Sequence, residues 1–97
     1  MADLRFEWNL EKARKNLSKH KISFSEAESV FYDELAIEYF DPDHSIDEER
    51  FLLLGSSNKI RILIVSFTYR SNDNVIRIIS ARKAKPNECI EYIKKRR

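Results

Sequence analysis

The 97-residue chain is 42% apolar and 35% charged, which excludes a disordered chain and leaves room for one modest core. Its net charge of +2 hides a split: residues 1–48 sum to −6 and residues 49–97 to +8, so the second half is suited to meet an anionic partner or the acidic first half. One cysteine, Cys89, excludes an internal disulfide and a cysteine-based zinc site, and apolar runs no longer than four residues exclude a membrane-spanning helix. Met1-Ala2-Asp3-Leu4-Arg5 lacks the basic-then-apolar pattern of a secretory signal. The expectation is a single cytoplasmic domain over residues 1–97.

Phe6-Glu7-Trp8 alternates apolar and charged residues, as a short strand or an anchoring segment does. Asn9 stands where a helix N-cap belongs, and Leu10, Ala13 and Leu17 form one apolar stripe, predicting a helix from Asn9 to about His20. Ser23-Phe24-Ser25-Glu26 fits a capping box, with Ile22 and Ala27 placed as a hydrophobic staple. Phe24, Ala27, Val30 and Phe31 give a second, short helix its apolar face. The two helices, joined by Lys21-Ile22, form a hairpin. Ala36 to Phe40 reads as a short strand, and Asp41-Pro42-Asp43-His44-Ser45 as a turn.

From Arg50 the pattern changes. Phe51 to Ser56, Ile60 to Arg70 and Val75 to Arg82 are rich in β-branched and aromatic residues. Hairpin-length connectors separate them, predicting a three-stranded antiparallel meander with Leu63, Val65, Ile76 and Ile78 in its core. Both faces of the middle run are apolar over much of its length, which suits a central strand partly covered on both sides. Pro86 and Asn87 open a last helix whose Cys89, Ile90 and Ile93 are expected to face inward. The fold class is therefore α+β: an N-terminal helical hairpin, an antiparallel sheet and a C-terminal helix.

Much enzyme chemistry is ruled out. With Gly55 the only glycine, no phosphate-cradling glycine loop or dinucleotide fingerprint can form, and no GxSxG elbow is present. His20 and His44 lack metal-ligand spacing, so no metal or cofactor is expected. A small basic sheet with a helical hairpin fits nucleic-acid or protein interaction better than metabolite turnover. A DNA-reading helix is not evident, because the second helix is acidic at Glu26, Glu28 and Asp33.

Several segments resemble one family in order. They are Phe6-Glu7-Trp8-Asn9, Lys12, Asn16, Lys19-His20, Ser23-Phe24-x-Glu26-Ala27, Asp43-His44-Ser45, Glu48-Glu49-Arg50-Phe51 and Gly55. Ile76-Arg77-Ile78-Ile79-Ser80-Ala81-Arg82-Lys83-Ala84, then Glu88 and Tyr92, complete the set. Together they resemble the BrnT toxins over Phe6 to Tyr92. The resemblance implies a RelE-like fold and the toxin half of a bacterial type II toxin–antitoxin pair, a ribonuclease that stops translation. It also implies a partner antitoxin, BrnA, with a ribbon-helix-helix DNA-binding part, so that DNA is met only through the complex. The chain departs from the family where Lys21 replaces the usual glycine. It departs again in its connectors, Ser57-Asn58-Lys59 and Ser71-Asn72-Asp73-Asn74, which lack glycine and should turn through asparagine. Its last helix is also poorer in arginine.

Cleavage by 2′-hydroxyl attack needs a base, donors for the charge on the phosphate, and an acid for the leaving oxygen. Arg82, Arg77 and Arg70 are the candidate donors, with Arg82 expected as an exposed strand-end side chain whose removal spares stability. Arg70 and Arg82 end neighbouring antiparallel strands, so a direct pair needs a bulge or bend. Arg50, Lys83 and Lys85 are candidate RNA-binding cations. Glu49 is either a base or the charge partner of an arginine, the second being favoured because a carboxylate beside arginine is a weak base. His20 has the right type for acid–base work, against a plain role at a helix C-terminus. His44 is read as closing its turn, and Tyr92 as packing on the sheet. The alternative function is a catalytically inactive RNA- or protein-binding regulatory module, favoured by the lack of a clean acid–base pair.

Overall fold

The computed structural model describes residues 4–70 and 74–95. It is α+β, with the elements β1 (Arg5–Glu7), α1 (Leu10–His20), α2 (Phe24–Ser29), β2 (Ile37–Asp41), β3 (Arg50–Ser56), β4 (Ile62–Arg70), β5 (Val75–Lys83) and α3 (Pro86–Lys95). Short 3-10 turns follow α2 at Val30–Tyr32 and β2 at Pro42–His44. The described helices are all too short to cross a membrane.

Among the described residues the sheet has five strands, in the order β1-β5-β4-β3-β2. The expected meander is its centre, β3, β4 and β5 pairing antiparallel in turn. The sheet as a whole is mixed, because β1 pairs parallel with β5, setting Phe6 opposite Ile76 and Glu7 opposite Arg77. Antiparallel β2 extends the other edge, with Asp41 opposite Arg50.

The two helix starts are built as their residues dictate. The Asn9 side chain accepts from Lys12 N at 3.0 Å, and Ser23 Oγ accepts from Glu26 N at 3.0 Å. The second half of the capping box is replaced. Glu26, only 2% exposed, turns its carboxylate to Arg61 and to Ser57 Oγ, tying α2 to the β3–β4 connection. The Arg61 hydrogen bond holds the Glu26 carboxyl below the usual carboxylate range, against the burial that would raise it.

Lys21 ends α1 in the left-handed region, at φ 62°, its N–H donating to Leu17 O. A side chain there costs more than glycine would. In the β3–β4 connection the left-handed residue is Ile60, at φ 58°, and not the expected asparagine. Of the second connector, Ser71 to Asp73 lie outside the described residues. Gly55 is required by close approach: a Cβ there would meet Val30 Cγ1 at 2.9 Å and Ala36 Cβ at 3.0 Å.

The hairpin of α1 and α2 covers one face of the sheet. Ile22, Phe24, Ala27 and Val30 pack there on Leu53, Leu63, Val65, Phe67, Ile76, Ile78 and Ala81. All four expected core residues are therefore buried. The expected stripe of α1 is not what anchors it, since Leu10 is 70% and Leu17 49% exposed. Buried Asn16 does that instead, donating to Ile22 O and Ala81 O at 2.9 Å and accepting from Ala81 N at 3.0 Å. A polar clamp of three bonds to main chain fixes both the height and the rotation of the helix.

Helix α3 covers part of the other face, where Tyr92 packs with Leu54 and Ile64. The tyrosine hydroxyl donates to Asp33 Oδ2 at 2.6 Å. The expected inward face is corrected: Ile90 and Ile93 are about half exposed, while Tyr92, Glu88 and Cys89 turn toward the protein. Glu88 sets this rotation, because it meets Arg82 on the sheet.

Candidate nucleic-acid site

Beyond α3 the second face of the sheet carries polar groups over an apolar floor. Register brings Arg82 opposite Ile64 and Ser80 opposite Ser66, while Arg50 leads into β3 beside them. A register shift after Ser66 leaves Ile79 as an extra residue in β5, pairing Phe67 with Ile78. Such a bulge re-aims the side chains around it. The result is a cleft of about 370 Å³ whose polar lining is Asp41, His44, Arg50, Ser66, Ser80 and Arg82, on a floor of Leu52, Ile64 and Ile79.

Arg82 is not a free strand-end cation. It is part-buried and pairs fork to fork with Glu88 of α3, Nη1 to Oε1 at 2.8 Å and Nη2 to Oε2 at 2.9 Å. Nη1 also donates to Lys83 O at 3.2 Å. The Arg82 hydrogen bonds, helped by the Lys85 backbone N–H, pull the Glu88 carboxyl down to about 2, and the same pairing raises the arginine. The expectation of an exposed strand-end side chain is thus corrected: Arg82 is part-buried and paired. Arg50 is the opposite case. Its Nε is buried with no hydrogen-bond partner among the described residues, leaving a donor whose burial is uncompensated.

The other expected residues lie apart from the cleft. Arg70 is exposed and sits opposite Val75, six residues along β4 from the Arg82 position, or roughly 20 Å at strand rise. The antiparallel register therefore keeps Arg70 and Arg82 at opposite ends, and the bulge does not join them. Arg77 stands between, opposite Thr68, with Glu7 at 3.9 Å. Glu49 is exposed in a neighbouring hollow with Glu48, Phe51, Thr68 and Tyr69, and its carboxylate has no ion pair among the described residues. Its carbonyl accepts from Thr68 Oγ1 at 2.7 Å. His20 ends α1, on the far face of the sheet from Arg82. Lys83 and Lys85 are exposed next to the Arg82–Glu88 pair.

Sequence reasoning undervalued Arg50 and missed Ser66, Ser80 and Asp41. Ser66 and Ser80 do carry a signal, being hydroxyls flanked by apolar residues within their strands. No group of three or more His, Cys, Asp or Glu among the described residues is placed to hold a metal ion.

Fold and cleft together define a small α+β protein with a guanidinium- and hydroxyl-lined face on a rigid sheet, suited to an anionic ligand. The family model described as "Ribonuclease toxin, BrnT, of type II toxin-antitoxin system" matches residues 8–88. The chain belongs to the BrnT family of ribonuclease toxins from type II toxin–antitoxin systems. Its fold is similar to the 1.1 Å crystal structure of the Brucella abortus ribonuclease toxin BrnT, with TM-score 0.60 and 23% identity over 84% of this chain and 97% of that one. No curated protein matches.

Proposed function

We propose that this chain is a metal-independent endoribonuclease that cleaves RNA in the cytoplasm and so inhibits translation. The observation that carries the reading is the convergence of Arg50 and Arg82 with Ser66 and Ser80 in one cleft. Two guanidinium groups supply the positive charge that a phosphate in transition needs, and both are carried on strands of one sheet. Arg77 lies next along β5 to carry the flanking backbone. Lys83 and Lys85 extend the same positive surface. Arg70, Glu49 and His20 do not line the cleft, and this reading assigns them no part in the same step.

The partner in this reading is an antitoxin of the ribbon-helix-helix, BrnA-like kind, and the arrangement of helices and sheet is RelE-like. The antitoxin covers the basic face and blocks RNA while neutralising charge, and DNA is met through the antitoxin alone. Complex formation should therefore weaken as salt rises.

One observation favours the alternative of an inactive binding module: Glu88 already occupies both terminal nitrogens of Arg82. The deciding experiment is expression without antitoxin, followed by incubation of the purified chain with RNA in EDTA. Growth arrest with EDTA-resistant cleavage supports the toxin. RNA binding without cleavage, with ribosomes supplied, supports the module.

A further inference from the structure

The turn after β2 places an imidazole at the mouth of the cleft. Asp41 ends β2, and Pro42 sets off a single 3-10 turn that carries His44. The turn is pinned on its far side. Ser45 Oγ donates to Asp41 O at 2.5 Å and accepts from Arg50 N at 2.9 Å. His44 Nδ1 lies 2.9 Å from Asp41 Oδ2. The aspartate side chain is 14% exposed and the imidazole 66%. A carboxylate only accepts, so the proton of this bond sits on Nδ1. In the neutral ring, Nε2 then carries the lone pair. Asp41 stands opposite Arg50 in the ladder, yet its carboxylate is spent on His44. A part-buried acceptor that fixes the tautomer of an exposed imidazole, beside two guanidinium groups, has the parts of a general base and its orienting group.

We infer that His44 is the general base of this cleft and Asp41 its positioning residue. The inference rests on the ribonuclease reading and assigns it a proton-transfer step. Nε2 takes the proton of a ribose 2′-hydroxyl as the O2′–P bond forms. The P–O5′ bond breaks, the 5′ oxygen takes a proton from water, and a 2′,3′-cyclic phosphate is left. The imidazolium then returns its proton to the hydroxide so formed. Arg50 and Arg82 face the phosphate oxygens. The charged groups around His44 are Asp41 and Asp43 of its own turn, Asp47 and Glu48 of the next loop, Arg50 of β3 and Arg82 of β5.

The test is single-turnover cleavage of one RNA by the full chain across roughly pH 5 to 9, the range in which imidazole changes charge. Wild type, His44→Ala, His44→Gln and Asp41→Asn are compared. The expected loss is about 100- to 1000-fold for both His44 variants, and free imidazole should restore part of the rate to His44→Ala. Asp41→Asn should lose about 10- to 100-fold, keeping RNA affinity and shifting the pH profile. The acid limb of the wild-type profile should vanish in both His44 variants. Wild type that cleaves beside a His44→Ala that cleaves equally, with the same acid limb, overturns the assignment and leaves the ribonuclease reading standing. A loss in His44→Ala that imidazole does not relieve, with a lowered melting temperature, also overturns it, since the histidine would then hold the turn. A wild type that cleaves no RNA overturns the ribonuclease reading itself.

Discussion

The two faces of one sheet have been given different work. On the hairpin face, Leu63, Val65, Phe67, Ile76, Ile78 and Ala81 lie at 2% exposure or less under α1 and α2. On the other face the same strands present Ser66, Ser80 and Arg82, and α3 covers only the end around Leu54 and Ile64. Strand alternation makes this possible, since neighbouring residues point to opposite sides. A small domain has one core's worth of apolar area. Concentrating it under the hairpin frees the second face for charged groups that would be costly in a core.

The largest test of that division is Phe67→Ala. Phe67 is fully buried, edge-on to Phe31 at 4.9 Å and stacked near Phe51 at 5.8 Å. Truncation should cost about 3–5 kcal/mol by denaturant titration. A cost below about 1 kcal/mol would mean that the hairpin face is not where stability resides.

Arg82→Ala probes the other face. If the guanidinium meets a phosphate in the transition state, cleavage should fall about 30- to 1000-fold. Because Glu88 loses its partner, stability should also fall, by about 1 kcal/mol for a part-exposed pair. Arg82→Lys should recover only part of the rate, since lysine keeps charge but loses the two-pronged geometry. Full cleavage by the alanine variant would leave the chemistry to Arg50 and Arg77.

Local rules carried the sequence reading far. Asn9 and Ser23 cap their helices as their types require, and runs of β-branched and aromatic residues located β3, β4 and β5 with four of their buried residues. The two failures on helix faces share one cause: a polar residue with a partner outside its own helix outranked an apolar stripe. Asn16 binds Ala81, 65 positions away, and so turns Leu10 and Leu17 outward. Glu88 meets Arg82 and turns Ile90 and Ile93 outward. The parallel pairing of β1 was hidden because three residues carry no pattern that names a partner. The arginines were recognisable by type, but their grouping depends on register across three strands and on a bulge at Ile79. His44 was read as a turn residue, which it is, and the same hydrogen bond gives it its second reading.

Glu88→Gln sharpens the comparison through pH. The carboxyl sits near 2 in the folded protein against an ordinary 4.5. A depressed value stabilises the fold fully above about 4.5, and that share is lost as pH falls toward 2. With the pair partly open to solvent, the share is about 1 kcal/mol. Glu88→Gln should lose this much at neutral pH and show a correspondingly shallower decline between pH 4.5 and 2. Part of the slope should persist, because the Glu26 carboxyl is also held low on the hairpin side. An unchanged acid slope would show that the pair orients Arg82 without stabilising α3.

The smallest expected effect is a gain, and it belongs to neither face. Ile60 is 89% exposed and lies in the left-handed region at φ 58°. A β-branched residue there costs roughly 1–3 kcal/mol of backbone strain, and its exposed side chain offers little packing in return. Glycine removes the strain but adds entropy to the unfolded chain, so the two effects partly cancel. Ile60→Gly should therefore raise stability by about 0.5–1 kcal/mol in denaturant titration. Cleavage should not change, because Ile60 does not line the cleft. If stability rises while cleavage falls, the strained connection holds the nearby end of β4 in its active register, and the division of labour between the faces extends into the loop that joins β3 to β4.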